Sequence, residues 1–200
     1  MKPRQADRVR GMVKQAGVVS SKEAYEQGVQ RSVLKRMTES GELYRVGRGL
    51  YSSATGEVTE FHSLVEAARA VPQGVVCLLS ALRFHGLTTQ APFEVWLAIG
   101  PKAWRPRVAR PPLRVVRFSG AALTEGVEVH QVEGTTVRVY SAAKTVADCF
   151  KYRNKIGLDV ALEALRDCRE QGKCDEDELW RYAEVCRVAQ VIRPYMEATL

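Results

Sequence analysis

The sequence predicts an α+β fold in two parts: a small helical module closed by a hairpin over residues 1–55, and a larger mixed α+β part over residues 56–200 that ends in helices. Three observations predict it. Within the first 41 residues an apolar stripe at helical spacing is followed by a capping box, a glycine turn and a cationic helical stretch. A glycine-rich turn between apolar stretches comes next. Beyond residue 90 the apolar pattern passes from period two to period 3.6.

Val9, Met12, Val13 and Ala16 recur at i, i+3, i+4 and i+7, one face of an amphipathic helix that Gly17 ends. Ser20 precedes Glu23 by three residues, so a second helix begins at about Ser21 and runs to Gln27. Gly28-Val29 is the turn, and Gln30 to Ser40 is the third helix, with Leu34 and Met37 inward and Arg31, Ser32, Lys35 and Arg36 outward. Glu42–Val46, Gly47-Arg48-Gly49 and Leu50–Ser52 read as a hairpin. This order is the layout of a winged helix-turn-helix. In that layout the third helix enters the major groove, which points to Gln30, Arg31, Ser32, Lys35 and Arg36 at base edges and phosphates. Arg45 and Arg48 on the wing would reach phosphate or the minor groove, and Lys22 at the start of the second helix would sit near the backbone phosphates.

Thr55-Gly56-Glu57 reads as a linker. A helix holding Phe61, Leu64, Val65 and Ala68 stops before Pro72, and Ser80–Leu87 is helical up to Gly86. Phe93–Ile99 alternates as a half-buried strand, and Leu113–Phe118 is another. Between them residues 101–112 hold four prolines among Lys102, Arg105, Arg107 and Arg110, the composition of a loop. Val127–Val132 and Thr135–Tyr140 form a hairpin about Glu133-Gly134. Helices follow at Ala142–Tyr152, Leu158–Gln171 and Asp175–Arg187, with a last helical stretch to Met196.

Net charge is +7, and it is unevenly spread: residues 1–53 carry +6, residues 54–140 carry +2 and residues 141–200 carry −1. Positive charge concentrated on one small module suits a polyphosphate partner. No apolar run reaches 18 residues and the N-terminus is charged, which argues against a membrane span or secretory signal and for a cytoplasmic protein. Five cysteines, an odd number without a C-x-x-C pair, read as reduced thiols rather than a disulfide frame or zinc site.

Leu79-Ser80-Ala81-Leu82, His85-Gly86-Leu87, Pro92 with Val95–Ile99, Val137–Asp148, Phe150–Lys155 and Ala161–Leu165 together resemble the AbiEi family, as does the Gly47-Arg48-Gly49-Leu50-Tyr51 wing. These are antitoxins and transcriptional autoregulators of bacterial abortive-infection toxin–antitoxin pairs. The resemblance covers residues 5–170, and the stretch 137–155 is its most specific part; residues 173–200 have no match. It implies repression of the chain's own operon by the N-terminal module, through an inverted repeat read by two protomers. It also implies that the C-terminal part counteracts a nucleotidyltransferase-like toxin, directly or indirectly. Candidates for that partner contact are Arg83, His85, Lys102, Arg105, Arg107, Lys144 and Arg153. The competing class is a winged-helix regulator whose C-terminal part only dimerises or senses a ligand.

Enzymatic readings fare worse, and no catalytic residue, cofactor or metal is expected. Ser141-Ala142-Ala143-Lys144 fits the Ser-x-x-Lys pattern, yet Ser141 stands where a strand hands over to a helix and suits an N-cap. Lys144 and Asp148, four apart, read as an ordinary helix-surface pair. No Lys has Asp or Glu two residues before it, so the metal-nuclease pattern is missing, although an inactive relative of that fold stays compatible. The one Asp-x-Asp, Asp175-Glu176-Asp177, suits a helix start, and no Gly-Ser pair exists for nucleotidyl transfer. His62, His85 and His130 lack ligand spacing and read as structural.

Overall fold

The computed structural model describes residues 4–54 and 59–198, and the expected linker at Thr55-Gly56-Glu57 lies outside them. The chain is mixed α+β and divides into two units. The first comprises Met1–Gln73, Trp104–Leu113 and His130–Val137; the second comprises Gly74–Ala103, Arg114–Val129 and Arg138–Leu200.

In the first unit α1 (Gln5–Ala16) buries Val9 and Val13 and is ended by Gly17, whose φ of 65° lets its N–H return to the Val13 carbonyl. Strand β1 (Val18–Ser20) follows, and α2 (Ser21–Glu26) starts on a complete capping box: Ser20 Oγ accepts from Glu23 N–H, and Glu23 Oε2 accepts from Ser20 N–H at 2.7 Å. Such a cap stabilises a short helix by about 1 kcal/mol. Gly28 makes the turn at φ 74°, and α3 (Arg31–Glu39) runs to Ser40 with Val33, Leu34 and Met37 buried. Strands β2 (Leu43–Gly47) and β3 (Leu50–Ser53) form the hairpin, and the three-stranded sheet has the order β1-β3-β2, antiparallel throughout. These elements close over Val9, Val13, Val19, Ala24, Val29, Val33, Leu34, Met37 and Leu43. Each such valine, leucine or methionine side chain contributes about 1.5–3 kcal/mol when fully buried. The arrangement is helix-turn-helix-like, and α4 (His62–Ala70) completes the continuous part of the unit.

After α4 the chain forms β4 (Val75–Val76), α5 (Leu78–His85), β5 (Val95–Ile99), β6 (Leu113–Arg117), α6 (Ala121–Thr124), β7 (Val127–Val132), β8 (Thr135–Tyr140), α7 (Ala142–Lys151), α8 (Arg153–Ile156), α9 (Leu158–Glu170), α10 (Glu176–Val185) and α11 (Ala189–Ala198), which belong to the second unit except Leu113 and the β7–β8 residues from His130 to Val137. The five-stranded sheet has the order β6-β5-β4-β8-β7; β4 runs antiparallel to β5 and parallel to β8. Helix α7 packs against α5, α8, α9, α10 and α11, so every residue from Ala142 to Phe150 is buried. No helix of the described residues is long and apolar enough to cross a membrane.

Three expectations are corrected. Strand β5 is buried at all five positions rather than on one face; α5 packs on it, and Trp96 and Ala98 belong to the core cluster. Lys144 and Asp148 are no surface pair: both are fully buried, 2.6 Å apart, on the central helix. The expectation of five reduced thiols gives way at Cys168 and Cys174, which are bonded. The α9 terminus reverses through Gly172 at φ 61°, Lys173 N–H returns to the Cys168 carbonyl, and the two Cα atoms come within 5.7 Å. Cys77, Cys149 and Cys186 are free thiols inside the core, and burial pushes each of them up, Cys186 to about 12.

Candidate nucleic-acid interface

Helix α3 divides its residues cleanly. Val33, Leu34 and Met37 face the core, and Arg31, Ser32, Lys35 and Arg36 are all exposed on the other side. Arg31 and Lys35, like Ser32 and Arg36, are four apart and stack along one face. The helix start is fixed by α1, since Gln5 Oε1 accepts from the Gln30 N–H at 3.0 Å. The Gln30 side chain does not cap the helix and is exposed. Neither Arg31 nor Arg36 has a carboxylate partner among the described residues. Lys35 lies 3.7 Å from Glu39 and Lys22 lies 3.9 Å from Glu26, both exposed pairs of small energy that a phosphate readily displaces.

The hairpin tip is fastened to the start of α2. Ser21 N–H donates to the Gly49 carbonyl at 2.7 Å, and a Cβ on Gly49 would come within 2.9 Å of Ser21 Oγ, at a φ of 70° that already favours glycine. The bond brings the residues next to it, Arg48 on the turn and Lys22 on α2, to one end of the module with both side chains exposed. Arg45 is also exposed, its guanidinium over the Tyr51 ring at 5.8 Å. By contrast, the other charges near the turn are spent internally. Arg10 binds Glu42 and Asp7, Arg8 donates to the Gln27 carbonyl, and Arg69 binds Glu23. The Arg69 bond, with the capping bonds to Ser20, holds the Glu23 carboxyl down at about 2.

Behind this surface lies a polar network that the sequence reading did not find. His62 Nδ1 donates to Glu133 Oε2 at 2.6 Å, and His62 Nε2 lies 3.0 Å from Ser52 Oγ and 3.3 Å from the Tyr44 hydroxyl. The Ser52 hydroxyl donates to the Gly17 carbonyl and the Tyr44 hydroxyl donates to Glu66 Oε1, so both ring nitrogens face acceptors. Burial and the Glu66 carboxylate push Tyr44 up to about 12, which keeps it a donor. Burial alone would raise Glu133, but the bonds from His62 and Thr59 outweigh it and hold the carboxylate below its ordinary range. The expectation that His62 is structural agrees with this setting. Among the described residues no three His, Cys, Asp or Glu side chains are arranged to hold a metal ion.

The residues proposed for a protein partner fall in both units. Arg83 and Lys102 are exposed in the second unit, and Arg105 and Arg107 are exposed in the first. His85 is half-buried with Nε2 donating to the Tyr140 carbonyl at 2.7 Å, and Arg153 is half-buried with Nη1 donating to the Phe150 carbonyl. Lys144 is a correction: its ammonium is enclosed by Asp148 and by the Tyr140 and Phe118 rings, and no partner reaches it. Ser141 caps α7, accepting from Lys144 N–H, as expected.

Residues 13–54, from the last turn of α1 through the hairpin, match the family model described as transcriptional regulator, AbiEi antitoxin. No curated protein matches the chain. Among solved structures the chain is similar to the RV2827C protein from Mycobacterium tuberculosis, at 16% identity and a TM-score of 0.64, over 91% of this chain and 72% of that one. At that identity the likeness is one of fold.

Proposed function

We propose that the chain is a DNA-binding transcriptional autorepressor and antitoxin acting in the cytoplasm, with α1–α3 and the β2–β3 hairpin working as a winged helix-turn-helix. The observation that carries this reading is the cationic outer face of α3, lying inside the segment that matches the antitoxin-regulator family. In the proposed complex α3 lies in the major groove. Arg31 and Ser32 in its first turn meet base edges, and Lys35 and Arg36 follow the groove wall. Gln30 joins Ser32 at base edges, Arg45 and Arg48 reach phosphate or the minor groove from the wing, and Lys22 contacts the backbone phosphates. Two protomers on an inverted repeat would place two such helices about one turn of duplex apart.

The antitoxin half of the reading rests on the family description, and its partner is a nucleotidyltransferase-like toxin. Two measurements on the full chain test the two halves separately. The chain should retain the DNA upstream of its own gene and lower expression of a reporter placed behind it; no retention and no repression sink the regulator. Co-expression should restore growth to cells making the toxin of the adjacent gene. Repression without rescue would leave a winged-helix regulator whose second unit dimerises or senses a ligand.

A further inference from the structure

The proline-rich loop between β5 and β6 divides at Ala103. Residues 104–113 belong to the first unit, with the helix-turn-helix, although 50 residues or more separate them from it in sequence. Their attachment is specific. Strand β2 is the edge of the three-stranded sheet, and its register with β3 steps from Arg45↔Tyr51 to Gly47↔Leu50, which leaves Val46 without a partner in the ladder. Arg110 N–H donates to the Val46 carbonyl at 3.2 Å, so the loop caps the open edge at the bulge. The Arg110 guanidinium lies over the Tyr44 ring at 5.6 Å, and Pro111 is buried behind it. The anchored loop then holds Arg105, Arg107 and Arg110 exposed, with Trp104 at 95% exposure and no acidic residue among the ten. Neither Arg105 nor Arg107 has a carboxylate partner among the described residues. Fifteen basic and nine acidic residues fall in this unit, against fifteen and fourteen in the other, so six of the seven net positive charges lie with the loop and α3.

We propose that residues 104–113 form a second phosphate-binding arm of the nucleic-acid interface, docked on the edge of the wing and laying Arg105 and Arg107 along the duplex backbone. The inference rests on the DNA-binding reading and extends it to residues outside the segment matched by the family. Charge complementarity selects the partner. An arm with three arginines, no carboxylate and a bulge-anchored backbone suits a polyanion of fixed repeat, and the hairpin that holds it also carries Arg45 and Arg48.

The test uses the full chain, an end-labelled mixed-sequence duplex and a series of salt concentrations. Substituting both arm arginines (R105S/R107S) should reduce the magnitude of the slope of log affinity against log salt by about 2, at roughly 0.9 per lost phosphate contact. A variant removing the same charge from exposed positions of the second unit (K151S/R166S) should leave the slope at the wild-type value. Equal slopes for wild type and R105S/R107S, with K35A still lowering it, overturn the arm, leave the DNA-binding reading standing, and assign the loop to a protein partner. Absence of duplex binding by the wild-type chain even in dilute salt overturns both.

Discussion

Glu133 lies 71 residues from His62 along the chain and 2.6 Å from it in space. The contact joins the β7–β8 turn to the start of α4, and through Ser52, Tyr44 and Gly17 it reaches the hairpin and the end of α1. Both side chains are about nine-tenths buried, so removing one strands the other. Glu133→Ala is expected to destabilise the protein by about 2–3 kcal/mol. Urea unfolding followed by circular dichroism reads this as a lower midpoint at unchanged slope, and an unmoved midpoint would count against the network.

Acid should weaken the helix-turn-helix-like module through Glu23. Its folded-state carboxyl titrates at about 2 rather than 4.5 because Arg69 and Ser20 bind the charged form. A lowered carboxylate contributes stability that is present above pH 4.5 and is lost as pH falls toward 2. Glu23→Gln keeps a capping residue but loses the ion pair. At neutral pH the cost is about 1 kcal/mol or less, since the pair is partly exposed. The variant's unfolding midpoint should therefore vary less than that of wild type between pH 5 and pH 2. Parallel curves for the two proteins would refute the assignment.

The buried Lys144–Asp148 pair predicts a thermodynamic asymmetry. Lys144→Met alone leaves Asp148, already pushed up by burial, with only the Cys186 thiol at 3.1 Å, and should cost about 3–5 kcal/mol. Replacing both, as Lys144→Met with Asp148→Leu, should cost less than the single change, because no uncompensated charge remains in the core. A double-mutant cycle measures the coupling, and additive effects would show that the pair does not act as a unit.

On DNA, Lys35→Ala should lower the salt slope by about 1 with little change in sequence preference, as loss of a phosphate contact does. Arg31→Ala should cost about 1–3 kcal/mol and relax one position of the operator, as loss of a guanine contact does. Anisotropy titrations on operator and mixed-sequence duplexes separate the two. Wild-type affinity and slope in the Arg31→Ala, Lys35→Ala double variant would rule out α3 as the docking face.

The N-terminal helices and the hairpin were legible because each carries its own local signal. The Ser20–Glu23 cap, Gly17, Gly28 and Gly41 at positive φ, and the apolar spacing of Val33, Leu34 and Met37 agree with one another. The β7–β8 hairpin and α9 also fall where periodicity puts them. Strand β1, with three residues, and α6 and α8, with four each, are too short to show a period. The amphipathic reading of Lys144 and Asp148 failed because charge at i, i+4 normally marks solvent, whereas helices crowd α7 from several directions. Candidate DNA residues were readable as the outward face of one helix. The docking of Arg110 on Val46 and of Glu133 on His62 was not, because such pairings between distant segments leave no local pattern.

The turn at Glu133-Gly134 has a bearing on biosynthesis. Gly134 approaches the Gln15 carbonyl so closely that a Cβ would sit 2.4 Å from it, and Thr135 Oγ1 donates to the Ala16 carbonyl. Residues near the start of the chain therefore await a segment made much later. At roughly 5–20 residues per second, a ribosome that has finished Gln73 needs several more seconds to deliver Val137. During that interval the nascent first unit holds its local helices but lacks its latch.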